Sequence, residues 1–282
     1  VLARLNLEQK AKTFLRYDIF FRPVLFLLIF TSAVSGFAPD LFCGESGSFN
    51  KKDFLARYGG AAPVLWGENL PGIRTKLDTK ENVIALTFDA CGSKTDGYDA
   101  DLIVFLKREK IPATLFMSGR WIDKFPKEFQ RLSEEPLFEI ENHGLNHKPC
   151  SVKGKSVYGI KGTSGVEEVF DEVELNAQKI EKFTGKRPRY FRSGTANYDD
   201  IAVKIIYDLG FEPVGFNING DYGATATKDE IKKSLLGAPP GSIVIFHMNR
   251  PGRGTLEGLK EALPAIREKR IRFVMLSDYK LK

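Results

Sequence analysis

The chain of 282 residues contains only three histidines, His143, His147 and His247. The first two form His143-Gly-Leu-Asn-His147, an i, i+4 spacing that on a helical face presents two imidazoles to one cation. The third ends the apolar run Ile243-Val-Ile-Phe246. Three more ionisable residues occupy equivalent positions. Asp89 follows Ile84-Ala-Leu-Thr-Phe88, Arg192 follows Tyr190-Phe191, and Asp221 follows the run 214–220. A single strand-end carboxylate is ordinarily a helix cap or a surface residue. Five strand ends with ionisable groups, every histidine among them, point to one shared site. A catalytic zinc takes three protein ligands and keeps an open position for water. With two histidines in hand, the third donor must come from another strand end, and Asp89 is the nearest kind of candidate.

These residues need a scaffold that brings strand ends together. From residue 83 onward, β-rich runs at 83–88, 113–117, 138–140, 190–191, 213–216, 242–246 and 271–275 alternate with helical patterns. The clearest helix has Val166, Val169, Phe170, Val173, Ala177, Ile180 and Phe183 at spacings of three and four. Ser164 with Glu167 suggests a capping box at its start, and Gly185 follows its end. Further helices are expected near 99–109, 122–134, 199–209, 228–236 and 256–269. About seven strands alternating with helices predict an α/β fold with a parallel sheet, barrel or open, whose site collects at the C-terminal strand ends. No Gly-x-Gly-x-x-Gly follows the first strand, and there is no phosphate loop.

Composition narrows the function classes. At 43% hydrophobic and 28% charged, the chain can bury a full core. The net charge of +6 gathers partly in residues 1–22, where Arg4, Lys10, Lys12, Arg16 and Arg22 face only Glu8 and Asp18. The remainder has no basic block, so nucleic-acid binding lacks support. The basic start, the apolar run 23–30 and the small residues of 31–38 read as a signal peptide or N-terminal anchor. The expected location is therefore periplasmic, secreted or anchored at the outer side of the membrane. Residues 39–82 read as an N-terminal extension packed on the barrel, and 83–282 as the main domain. Cys43, Cys91 and Cys150 allow one disulfide or none, and Cys91 and Cys150 both flank site residues.

The motif order resembles the polysaccharide deacetylases with NodB homology, carbohydrate esterase family 4. Thr87-Phe-Asp89, His143-x-x-x-His147, Phe191-Arg192-Ser-Gly-Thr195, Asp221-Tyr222 and Ile245-Phe-His247 are similar to the family's five motifs in sequence order. The resemblance implies a distorted (β/α) barrel that removes N-acetyl groups from GlcNAc polymers, peptidoglycan or chitin-like, with a divalent metal, usually zinc. It implies Asp89 as base, His247 as general acid, Arg192 holding the base and Asp221 holding the acid. It further implies a backbone N–H near Thr195 at the oxyanion and His143 and His147 on the metal.

One motif departs. The family's usual Thr-Phe-Asp-Asp is here Thr-Phe-Asp-Ala, and Ala90 replaces the third metal ligand. Asp89, Asp99, Cys91 or water can stand in. Of these, Asp99 at the next helix start is taken as the third ligand, a position that equally suits an N-cap. The third motif also lacks the usual Pro-Tyr, so Gly194-Thr195 opens that wall. The stretch 151–165 reads as a long substrate-selecting loop, and Trp121, Tyr158 and Tyr222 as rings able to stack on sugars. Two alternatives stand beside the deacetylase: an inactive glycan-binding protein on the same fold, for which Ala90 speaks, and a hydrolase of another C–N amide.

Overall fold

A computed structural model describes residues 50–282; the segment 1–38, read as a targeting sequence, and Cys43 lie outside the described residues. The description opens with helix α1 (Lys51–Tyr58), whose first turn is capped where Asn50 Oδ1 accepts the Lys52 N–H at 3.1 Å. A short β1 (Trp66–Gly67) precedes the alternating part: β2 (Val83–Ala90), α2 (Ala100–Arg108), β3 (Ala113–Met117), α3 (Gly119–Lys124), α4 (Pro126–Ser133), β4 (Phe138–Asn142) and α5 (Val166–Thr184). Then follow β5 (Tyr190–Phe191), β6 (Tyr198–Asp199), α6 (Asp200–Asp208), β7 (Glu212–Pro213), β8 (Ile218–Asn219), α7 (Lys228–Leu236), β9 (Ser242–His247), α8 (Gly254–Glu268) and β10 (Arg272–Val274).

Eight parallel strands make the main sheet, in the order β7-β5-β4-β3-β2-β9-β8, with β10 beside the first half of β2. This is the distorted, incompletely closed barrel. Alternation along β2 divides its side chains between two environments. Ile84, Leu86, Phe88 and Ala90 join the apolar layer under the outer helices. Val83 and Ala85 join the cluster with Phe116 and Tyr190, and Thr87 and Asp89 share their side of the strand.

Several local expectations shift for identifiable reasons. The strand expected at 213–216 resolves into two short strands, β7 and β8. Between them the Val214 and Gly215 carbonyls accept Arg192 instead of a neighbouring strand. The helix expected over 122–134 breaks into α3 and α4 at Phe125, because Pro126 cannot donate a backbone hydrogen bond and disfavours helical geometry before it. Gly185 ends α5 as expected. At its start Ser164 pairs with Glu168, at 2.7 Å from both its N–H and its hydroxyl, rather than with Glu167.

Residues 50–82 are built into the barrel. Arg74 bridges to Val214 beside β7, Lys76 bridges to Ser242 at the start of β9, and Leu77 pairs with Leu281. This stretch spans the seam where β7 and β8 do not pair. Phe54 of α1 packs edge-on against Phe170 of α5, with ring centroids 5.3 Å apart, and is itself buried. Phe54→Ala should therefore cost about 3–5 kcal/mol of stability. Denaturant unfolding with turnover measured in parallel checks this: the midpoint should fall while kcat stays unchanged.

Candidate active site

Strand register brings the chemistry to one level. Asp89 pairs directly with His247 across β2 and β9, and Asn142 pairs with Phe191 across β4 and β5. The residues after those last two, His143 and Arg192, are thereby neighbours at the same end of the sheet.

Arg192 organises this end. It is wholly buried, and its guanidinium reaches β2, β3 and the chain after β7. Nη1 donates to Asp89 Oδ1 at 2.7 Å and to Thr87 Oγ1 at 2.9 Å. Nη2 donates to the Gly215 carbonyl at 2.8 Å and Nε to the Val214 carbonyl at 3.2 Å. Its flat face lies 4.2 Å from the Phe116 ring centroid. Burial alone would raise the Asp89 pKa, but the Arg192 charge outweighs it and holds the carboxyl below its ordinary value. Asp89 therefore stays ionised in a site nearly closed to water.

The backbone of Arg192 acts on the first histidine. Its carbonyl lies 2.8 Å from His143 Nδ1. A carbonyl only accepts, so Nδ1 carries the hydrogen and Nε2 is left with a bare lone pair. That nitrogen is buried without a hydrogen-bond partner, 3.4 Å from Asp89 Oδ2. A buried imidazole lone pair with no hydrogen-bond partner suits a cation. Burial also lowers the pKa of both His143 and His147, the latter strongly, so both rings are neutral and able to ligate.

The histidine pair is not on a helix, contrary to the spacing argument. Residues 143–149 form an irregular loop, and His147 has φ 58. The rings still meet, with centroids 4.8 Å apart. The buried Glu172 of α5 holds the loop: its carboxylate accepts the Asn146 and Lys148 N–H groups at 2.9 Å each. Burial raises the Glu172 pKa to about 7 against the pull of those N–H groups. The loop also abuts the turn after Arg192, where a Cβ on Gly194 would lie 2.2 Å from the His147 carbonyl oxygen. Only glycine permits that approach. Thr195 next to it has φ 72 and lines the cleft.

His247 is held by Asp221 at two points. Asp221 Oδ1 accepts Nδ1–H at 2.8 Å, and Oδ2 accepts the His247 backbone N–H at 2.7 Å. The Thr255 hydroxyl, 3.0 Å away, braces Oδ2. Burial would lower the His247 pKa, yet the adjacent Asp221 carboxylate raises it above its ordinary value. Its Nε2 is left for the cleft, a space of about 540 Å³ also lined by Asp89, Cys91, His147, Thr195, Tyr158 and Tyr222.

The family profile for polysaccharide deacetylase matches residues 76–214. The chain is 25% identical over 226 residues to a peptidoglycan-N-acetylmuramic acid deacetylase of Bacillus subtilis, covering 75% of this chain and 79% of the relative. A solved peptidoglycan N-acetylglucosamine deacetylase superposes with TM-score 0.60 at 23% identity, covering 73% of this chain and 91% of that one. A family 4 pseudoenzyme from Bacillus anthracis superposes with TM-score 0.58 at 20% identity, covering 73% and 67%.

The expected residues Asp89, His143, His147, Arg192, Asp221 and His247 converge, and Thr195 lines the same cleft. Asp99 does not join them. It is the N-cap of α2, its Oδ1 accepting the Leu102 N–H at 3.0 Å, so its expected role as third ligand is corrected. Trp121 is also corrected: it is buried, its indole N–H bound to the Gly97 carbonyl, and cannot offer a face to sugar. Tyr158 and Tyr222 remain exposed on the cleft. Cys91 and Cys150 are free, the first on the cleft and the second in the core. Glu172 and Thr255 are not singled out by sequence. An acid between Val169 and Val173 on the apolar stripe of α5 was the available signal for Glu172. Asp99→Ala should cost about 1 kcal/mol as a lost cap and leave metal affinity unchanged. Thermal unfolding and zinc titration of the same variant separate the two effects.

Proposed function

We propose that this chain is a metal-dependent deacetylase that hydrolyses N-acetyl groups on GlcNAc-containing polysaccharide of the peptidoglycan type. The observation that carries the reading is that Asp89, paired with Arg192, and His247, held by Asp221, stand opposite each other on β2 and β9 and line one cleft beside the histidine pair. A divalent cation of the zinc type, held by His143 and His147, would supply Lewis acidity to water and to the acetamide carbonyl. Asp89 Oδ2, free of Arg192, takes the proton from the attacking water. Arg192 keeps that carboxylate charged and aimed. His247 Nε2 gives its proton to the departing nitrogen, because an amine leaves poorly as its anion. Asp221 favours the protonated imidazole and fixes the tautomer when it is neutral. Thr195 stands where its backbone can serve the oxyanion. Exposed Tyr158 and Tyr222 suit sugar faces, and export directed by segment 1–38 would bring the site to a wall polymer. Ala90, buried in the apolar layer where it can donate nothing, favours the second reading of an inactive glycan binder.

Acetate release by the full chain from GlcNAc oligomers and from peptidoglycan, with zinc and with chelator, decides between them. Zinc-dependent acetate that disappears with chelator is expected; folded, zinc-loaded protein that releases none from either substrate would leave the binding reading. The pH profile tests the two proton carriers. Activity should fall as pH drops through the depressed Asp89 pKa and again as it rises through the elevated His247 pKa. Asp221→Asn removes the charge that elevates His247, so the alkaline limb should move to lower pH while zinc content is retained. An unmoved alkaline limb would remove His247 from the acid role.

A further inference from the structure

The position that Ala90 leaves without a donor has a neighbour that can fill it. We propose that Cys91 supplies the third protein donor of the cation site, giving a cysteine–histidine–histidine set. The inference rests on the metal-dependent reading above and deepens it. Among the described residues, Cys91, His143 and His147 are the one group of three or more His, Cys, Asp or Glu residues whose donor atoms lie together, all within 4.8 Å of one another. The second observation is independent of the thiol: His143 is wholly buried, and its Nε2 has no hydrogen-bond partner. A bare imidazole lone pair sealed from water is costly unless something binds it.

The fold holds Cys91 where it is. Its carbonyl accepts the Ser118 hydroxyl at 2.8 Å. Gly92 has φ 80, and a Cβ there would meet the Trp121 backbone nitrogen at 2.5 Å, so the turn after β2 lies tight against α3. The side chain lines the cleft, and no disulfide engages it. The competing donors are otherwise placed. Asp99 caps α2, and Ala90 faces the apolar layer. Asp89 gives Oδ1 to Arg192, and a thiolate at 91 leaves Oδ2 free to accept a proton.

Zinc sits about 2.3 Å from sulfur and about 2.0–2.1 Å from imidazole nitrogen. A tetrahedral set therefore spaces its donors about 3.3–3.6 Å apart, so no pair of these donors has to close by more than about 1.5 Å. The thiol loses its proton to solvent as the sulfur–metal bond forms. A thiolate also biases the site toward zinc or cobalt and away from magnesium, manganese and calcium, which prefer oxygen donors.

The test is cobalt(II) substitution of the chelator-stripped full chain, read by absorption, with His143→Ala as the control for the site. Wild type should show an intense thiolate-to-cobalt charge-transfer band in the near ultraviolet. Cys91→Ser should lose that band and weaken zinc binding by more than the roughly 10–100-fold typical of changes to ligand-supporting residues. Cobalt bound by wild type with visible ligand-field absorption but no charge-transfer band would overturn the cysteine ligand and leave the metal-dependent reading intact. No cobalt or zinc bound at all would overturn both. Should Cys91→Ser fail to fold, alkylation of wild type followed by peptide mapping tests the same ligand. Zinc should protect Cys91 from the reagent, and equal labelling with and without zinc would overturn the proposal.

Discussion

The chemistry at this end of the barrel is arranged around the ion pair between Arg192 and Asp89. Both groups are buried, and taking two such charges from water costs several kcal/mol per ion unless their remaining hydrogen bonds are met. Arg192 has those bonds met by Thr87, Val214 and Gly215, and its ring contact with Phe116 fixes the plane of the guanidinium. Such a pair is weak as a source of stability, but each partner is intolerable alone. It specifies one arrangement of β2, β5 and the chain after β7. The same residue, through its carbonyl, sets the tautomer of His143, so one arginine controls both a carboxylate charge and a histidine lone pair.

The opposite side of the cleft is ordered by the mirror-image device, a buried carboxylate under a histidine. Asp221 binds the His247 ring and its backbone at once. An arginine depresses the pKa of one side chain and a carboxylate elevates that of the other. Two groups with separated proton affinities thus face the same space, the arrangement needed for acid and base to be charged in the same pH range. Between them the histidine loop relies on backbone contacts more than on helix geometry, with Glu172 holding its N–H groups and Gly194 permitting close approach.

The barrel tolerates short strands around this site because other segments complete it. β5, β7 and β8 are two residues each, too short to hold a sheet by their own pairing. Residues 74–77 cross the open seam, and α1 with β1 packs over α5 and β6. A stretch with weak sequence patterning thus proves structural, because its contribution is made by backbone pairing and single anchors rather than by a periodic apolar face.

Local sequence was enough to establish the alternation of strands and helices, the end of the sheet where chemistry collects, and six converging residues. Those follow from periodicity and from strand ends, which are properties of a few consecutive residues. Ala90 was legible as a missing donor through the family resemblance alone. Which neighbour stands beside the histidines was not. Asp99 and Cys91 both have suitable chemistry and both lie just beyond β2, and their fates separate only in three dimensions. Asp99 meets the free N–H groups at the start of α2, whereas Cys91 turns toward the cleft because Gly92 presses against α3. The histidine pair likewise has a helical spacing without a helix, since Glu172 and the Arg192 turn impose a loop there. Each of these points depends on hydrogen-bond partners distant in the chain, so it is fixed only when the fold brings those partners together.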